Sequence, residues 1–444
     1  MNNTKKSLFT GSQGQSYLFP FILITSLFFL WGFAHSLLDV LNKHFQDSLH
    51  LTKAQSGAVQ ASAYGAYFLM AIPAGIIARK FGYKRGIIVG LILFALGAFW
   101  FVPAVSIDTF WAFLLGLLIL FCGLTCLETV ANPYTIVLGP PETSASRINL
   151  AQTFNAIGWI LGPLVGSILI FGNESDKSIF ELFTEALEKV FLGAADTVQT
   201  VANTVEEHTG NSALIPPYVS LGILVLLVLV LFLFTKLPEI SSNDDAHRAE
   251  VDNTITNNKP LVKQKHFVMA VIAQLLYVAA QTGIGSFFIN YTIEVKELQL
   301  NEMQGGLLLG MGGMALFAIG RFSGSFIMRK IKPGTLLGTF ALINTLLMLF
   351  VTLNHNRFGV MALIASYLFM SIMFPSIFAL GVKGLGEKTK TAASILVLTV
   401  VGGAIAPGLM GVIGAKSMNT GFIIPLICFL YISFFGYIGG RIKN

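Results

Sequence analysis

Apolar residues run in long blocks along this chain, and polar residues gather between them. A helical crossing of a bilayer needs about 20 apolar residues. Twelve blocks meet that length: 18–42, 55–78, 86–104, 109–137, 146–172, 215–236, 267–291, 303–328, 334–353, 358–382, 390–414 and 421–440. Two longer polar stretches interrupt the series. One, 173–214, follows the fifth block, and the other, 237–266, follows the sixth and divides the blocks six plus six. The pattern predicts an all-α membrane protein with twelve transmembrane helices. It has a tail at 1–17, an N-terminal six-helix bundle at 18–236, a linker at 237–266 and a C-terminal six-helix bundle at 267–444.

Inside 173–214, Ile179, Leu182, Phe183, Ala186, Leu187, Val190 and Phe191 recur at helical spacing, which predicts an amphipathic helix. Acidic residues dominate that stretch, unlike the basic helices that bind lipid surfaces, so packing against the outer mouth of the protein is expected. The halves also resemble each other. Leu51-Thr-Lys-Ala-Gln55 opens the second block and Leu300-Asn-Glu-Met-Gln304 the eighth; Pro133 and Pro375 mark the fourth and tenth; Gly162-Pro163 and Pro407-Gly408 mark the fifth and eleventh. Agreement in this order supports an internal duplication.

Composition then excludes a soluble protein. Charged residues make up 11% of the chain, against about 25% in soluble domains. The net charge of +6 sits in short clusters between the apolar blocks, which argues for membrane orientation rather than nucleic acid. With both termini in the cytoplasm, 20 of the 28 Lys and Arg fall on cytoplasmic segments. Seven fall outside (Lys43, Lys53, Lys177, Lys189, Lys296, Arg357 and Lys416), and Arg321 lies within a block. That bias sets the orientation. Cys122, Cys126 and Cys428 all lie in apolar blocks and read as free thiols. The first block is too long for the apolar core of a signal peptide, so it is expected to stay in the mature protein.

Charges inside the blocks point to chemistry. Among acids only Asp39 and Glu128 are there, and among bases only Arg321 lies away from a block's end, where Arg147, Lys236 and Lys390 sit. A carboxylate near the bilayer centre costs about 2.5–3.5 kcal/mol. Asp39 has two readings: an end-of-helix acid that reaches water, or a proton carrier that loads and releases as its exposure changes. His35 lies one turn before it, as a hydrogen-bond donor to the acid, a substrate contact or a core histidine. Glu128 shares a helix face with Asn132, which suggests a polar cavity over structural packing. Arg321 reads first as a structural ion pair on the cytoplasmic side. Gln152 and Asn155 on the fifth block, and Tyr277 and Gln281 on the seventh, are amides and an aromatic at helical spacing. They suit a sugar, since amides bond hydroxyl pairs and aromatic faces stack on C–H surfaces. Interhelical glue, worth about 0.6 kcal/mol per contact, is the alternative.

Several segments resemble the L-fucose/galactose/glucose:proton symporter family of the major facilitator superfamily. They are Leu30-Trp-Gly-Phe33 leading to Asp39, Cys126-Leu-Glu-Thr-Val-Ala-Asn-Pro133, Asn149-Leu-Ala-Gln-Thr-Phe-Asn155, Tyr277-Val-Ala-Ala-Gln-Thr282, Gly320-Arg-Phe-Ser-Gly324 and Met370-Ser-Ile-Met-Phe-Pro375. The resemblance spans nearly the whole chain. It implies two bundles that rock about a central site in a bacterial cytoplasmic membrane, with proton-coupled uptake of a hexose or 6-deoxyhexose. It also implies protonation-linked roles for Asp39 and Glu128, and sugar-site roles for Gln152, Asn155 and Gln281. Three positions depart from the expected patterns: among them His35 stands in a segment that usually carries Asn in the family, and Phe374 stands where the family's L-fucose permease has Tyr. Arg79 replaces the usual Asp of the loop between the second and third helices.

The expectation is therefore a proton/sugar symporter, with no catalytic residue, metal or cofactor, that functions as a monomer in the lipid bilayer. Its coupling residues are Asp39 and Glu128. Its substrate contacts are His35, Glu128, Asn132, Gln152, Asn155, Tyr277, Gln281 and Phe374. Sodium-coupled or uncoupled sugar transport on the same fold is the alternative. A transport-inactive sugar sensor and a membrane enzyme are more distant rivals.

Overall fold

The computed structural model describes residues 16–138, 144–171, 178–193, 211–235, 237, 260–328, 331–383, 385 and 388–439. The expected tail at 1–17 and linker at 237–266 fall mostly outside these residues. The described chain is all-α, and twelve of its helices are long and apolar enough to cross a membrane. They are Leu18–Ser48, Lys53–Ala78, Lys80–Ile107, Phe110–Asn132, Leu150–Phe171, Asn211–Phe234, Lys265–Glu294, Glu302–Gly324, Pro333–Leu353, Arg357–Val382, Ile395–Ile413 and Met418–Gly439. These are the first to twelfth spans below, and they match the twelve apolar blocks one for one. The protein is a multi-pass membrane protein.

Local signals set the ends. Thr52 caps the second span through Gln55, and Asn301 caps the eighth through Gln304, each a reciprocal pair of side-chain and backbone hydrogen bonds. This pairing satisfies two donors that a helix start leaves open, and it opens both the second and the eighth span. Near the start of the third span the helix is interrupted by a kink at Gly82, with φ 84° and ψ 169°. Only glycine adopts that conformation at low cost.

The expected amphipathic helix forms at Ile179–Leu192, capped by Ser178 and Glu181 and ended by Gly193 in the left-handed conformation. It buries Leu182, Ala186 and Val190. Leu182 joins Met303 and Leu307 of the eighth span, flanked by Leu164, Ile168 and Phe171 of the fifth. Its inner face is thus covered by protein.

The chain forms two compact units. One comprises Met1–Ser36, Gly65–Gly162 and Leu214–Val251; the other comprises Leu37–Tyr64, Pro163–Ala213 and Asp252–Asn444. The division cuts through the first, second and fifth spans. Within the second unit, the far ends of the first and second spans pack on C-terminal helices. Asn42 Nδ2 donates to the Ser286 carbonyl (2.6 Å), Asn290 Nδ2 to Gln46 Oε1 (2.6 Å), and Lys53 pairs with Glu294 (2.5 Å).

Candidate functional site

The two intramembrane carboxylates lie in different units, and each is built into its surroundings differently. In the first unit, Glu128 projects half-buried from the fourth span, helical from Phe110 to Val137. Tyr67 of the second span donates its hydroxyl to Glu128 Oε2 at 2.7 Å, and the same hydroxyl lies 2.7 Å from His35 Nε2. A phenol has one proton to give. While that proton goes to the carboxylate, the contact with His35 is a hydrogen bond only if Nε2 carries the hydrogen. The buried imidazole is held between rings: it stacks on Trp159 (5.7 Å, 22°) and meets Phe121 edge-on (4.8 Å, 88°).

Three expected sugar contacts share this unit. Asn132 is half-buried, and its Oδ1 meets no hydrogen-bond donor among the described residues. Gln152 is half-buried on the fifth span. Asn155 is buried and donates Nδ2 to the Phe28 carbonyl of the first span at 3.0 Å. The first and fifth spans approach closely here. A Cβ on Gly158 would fall 2.4 Å from the Phe29 carbonyl oxygen. The Asn155 amide nitrogen thus links two helices, the use left open beside sugar binding.

In the second unit, Asp39 is 5% exposed. Gln60 of the second span donates Nε2 to its Oδ1 at 3.1 Å. Opposite, Gly285 of the seventh span leaves room for the acid: a Cβ there would stand 2.6 Å from Asp39 Oδ2. Neither Asp39 nor Glu128 forms an ion pair among the described residues. His35 and Asp39, one helical turn apart, take hydrogen-bond partners of their own from the second span. Sequence reasoning missed those partners, Gln60 and Tyr67. With Tyr64 they repeat at i, i+4 and i+7, a polar stripe on one face of an apolar helix that could have revealed them.

Tyr277, Phe374 and Arg321 meet at a break in the tenth span. Its first segment ends at Met370 and its second begins at Met373. Pro375 has no N–H, so the carbonyl four residues back, Ser371, has no helical donor. Arg321 Nε points at that oxygen from 3.4 Å, and Tyr277 donates its hydroxyl to the adjacent Met370 carbonyl at 3.1 Å. The Arg321 guanidinium also lies 4.9 Å from the centre of the Phe317 ring. The expected ion pair is therefore replaced, among the described residues, by a carbonyl and a ring, because the proline-broken helix offers acceptors that a guanidinium can fill. Phe374, in the first turn after the break, packs edge-on to Tyr277 (6.1 Å, 62°). Gln281, one turn past Tyr277, is half-buried. Cys126 and Cys428 are buried free thiols, and Cys122 is a half-buried one.

Known proteins share this architecture and much of this sequence. The chain is 38% identical to the L-fucose-proton symporter of Escherichia coli (strain K12) over 95% of its own length and 93% of that protein's. It is 33% identical to a glucose/galactose transporter of Brucella abortus over 99% of this chain and 98% of that one. A crystal structure of the transporter FucP in the outward conformation superposes with a TM-score of 0.64 at 37% identity, covering 96% of this chain and 100% of that one. Residues 24–409 match the sequence profile of the Major Facilitator Superfamily. With twelve spans and a match over most of its length, this chain belongs to the Major Facilitator Superfamily.

Proposed function

We propose that the protein imports a neutral hexose or 6-deoxyhexose, of the L-fucose, galactose or glucose class, together with protons. Its two six-helix halves alternate access to a central site in a bacterial cytoplasmic membrane, with both termini on the cytoplasmic side. The observation that carries this reading is the pair of carboxylates within apolar spans, each held among the described residues by one neutral hydrogen-bond donor, Gln60 or Tyr67. Burying an ionised carboxylate without a counter-charge is expensive. Protonation removes that cost, and the barrier to moving an empty charged carrier then enforces coupling. The printed names of the relatives, an L-fucose-proton symporter and glucose/galactose transporters, support the same substrate class.

In this mechanism Asp39 takes up a proton from outside and permits sugar loading. Glu128 and Asn132, with His35, Gln152 and Asn155, offer hydroxyl-bonding groups from the N-terminal half. Gln281 offers another from the C-terminal half, and Tyr277 and Phe374 offer aromatic faces. The halves rock, sugar leaves, and loss of the proton to the cytoplasm resets the carrier. The chain acts as a monomer and performs no covalent chemistry. Phe374 is one hydroxyl short of a tyrosine, and a polar site loses discrimination strongly when a hydrogen bond is missing, so the preferred sugar is set partly there.

The test is external pH in a lightly buffered, de-energised suspension of cells expressing the protein, with L-fucose, galactose, glucose, mannose and N-acetylglucosamine added singly. Alkalinisation with one sugar, absent in Asp39→Asn, is the expected result. Sugar entry without a pH change overturns proton coupling. Replacing external sodium at constant pH then separates sodium coupling from simple facilitation.

A further inference from the structure

Tyr67 sits between two groups that can each bind and release a proton, and its hydroxyl is 2.7 Å from both. We propose that Tyr67 and His35 form the proton path into Glu128, with the Tyr67 hydroxyl relaying one proton from the His35 ring to the carboxylate. This rests on the proposed protonation of Glu128.

The steps balance. In the starting state Glu128 is ionised, Tyr67 O–H donates to Oε2, and His35 donates Nε2–H to the Tyr67 oxygen. A proton reaches His35 Nδ1, an atom buried in this conformation, once the site opens to it. The Nε2 proton passes to the Tyr67 oxygen as the Tyr67 proton passes to Oε2. In the end state Glu128 is neutral and donates to the Tyr67 oxygen, Tyr67 donates to a bare Nε2, and His35 carries its hydrogen on Nδ1. One proton has entered, one negative charge has gone, and the imidazole is neutral at both ends with its tautomer exchanged. Heavy atoms need not move, which suits a ring stacked on Trp159 and meeting Phe121 edge-on. The titratable groups joined in this chain come from three spans: His35 from the first, Tyr67 from the second and Glu128 from the fourth.

The exchange of tautomer has a second effect. Nδ1 accepts a hydrogen bond when Glu128 is ionised and donates one when Glu128 is neutral. A sugar hydroxyl that reaches Nδ1, which is buried in this conformation, meets opposite polarity in the two protonation states, so the path would also tell the sugar site whether the proton is aboard. An amide at position 35 cannot do this, because its donor and acceptor atoms are fixed.

The experiment uses the full-length protein in proteoliposomes, with radiolabelled L-fucose, D-galactose or D-glucose, whichever enters. It compares accumulation driven by an imposed proton gradient with sugar counterflow, which needs no net proton movement. In Tyr67→Phe, which removes one oxygen, the ratio of accumulation to counterflow falls by about tenfold or more. His35→Asn lowers the ratio similarly, and the double variant is no worse than either single one, as expected of residues acting in series. An unchanged ratio in Tyr67→Phe, in a protein whose wild type alkalinises the medium, overturns the path. Equal loss of counterflow and accumulation also overturns it, by assigning the hydroxyl to sugar binding or folding. Sugar entry without alkalinisation in the wild type overturns proton coupling itself and is seen before any variant is made.

Discussion

Glu128 and Asp39 are both acids in apolar spans, and both are held by one neutral residue of the second span, yet the two sites differ in kind. Tyr67, beside Glu128, is a hydroxyl that touches another titratable group and can pass a proton onward. Gln60, beside Asp39, is an amide, which orients a carboxylate but relays nothing. The wall opposite Asp39 is Gly285, a space without a side chain. Burial of an acid therefore says only that its charge is costly; its neighbours decide how a proton reaches it. On the proposed path, Glu128 is loaded along a chain of side chains. On the same proposal Asp39, with no relaying neighbour, takes its proton directly when its surroundings open to water.

The largest expected effect follows from removing the directly loaded acid. Asp39→Asn is expected to reduce gradient-driven accumulation by about a hundredfold or more, while counterflow continues. Loss of both in equal measure would make Asp39 a sugar ligand and erase the contrast. Next comes the space opposite it. Gly285→Val places atoms where the carboxylate stands, and uptake is expected to fall about tenfold, since a misplacement of about 1 Å can cost up to a hundredfold. Normal uptake in that variant would mean the acid does not need the gap.

Gln60→Ala comes third. It leaves a buried acid without its donor, at a cost of about 1–3 kcal/mol, and should lower the thermal unfolding midpoint of the purified protein. Counterflow at 25 °C should persist, because Gln60 orients the acid and relays nothing. A Gln60→Ala variant that behaved like Tyr67→Phe in the accumulation-to-counterflow ratio would show the two acids to be loaded alike. The smallest effect belongs to a position that bonds neither acid. Tyr277→Phe removes the donor to the Met370 carbonyl at the break of the tenth span. It should cost about 1 kcal/mol of stability and raise the KM for sugar severalfold without changing the ratio of accumulation to counterflow.

The features legible in the sequence are local ones. Twelve spans could be counted because hydropathy belongs to a stretch of chain, whatever it packs against. The caps at Thr52, Ser178 and Asn301 each close within three residues, so their spacing announces them. Asp39 and Glu128 stood out for a similar reason: a charge in an apolar run is costly in any fold, so its presence signals function before any partner is known.

Partners were another matter. His35 and Asp39 share a helix face, yet the hydrogen bonds they make to the second span cross 32 and 21 residues of chain. Tyr67 meets Glu128 across 61 residues, and Arg321 reaches Ser371 across 50. A tyrosine or glutamine in a membrane helix is unremarkable until one knows which face of which neighbour it meets. By itself, the sequence determined how many spans long and apolar enough to cross a membrane this chain has, and which charged residues lie within them. Only the tertiary structure decided that one acid rests against a phenol that also meets an imidazole, and the other against an amide and a glycine. The reason is physical: hydropathy and capping are summed along the chain, whereas hydrogen-bond partners in a bundle are chosen across helices, where periodicity carries no address.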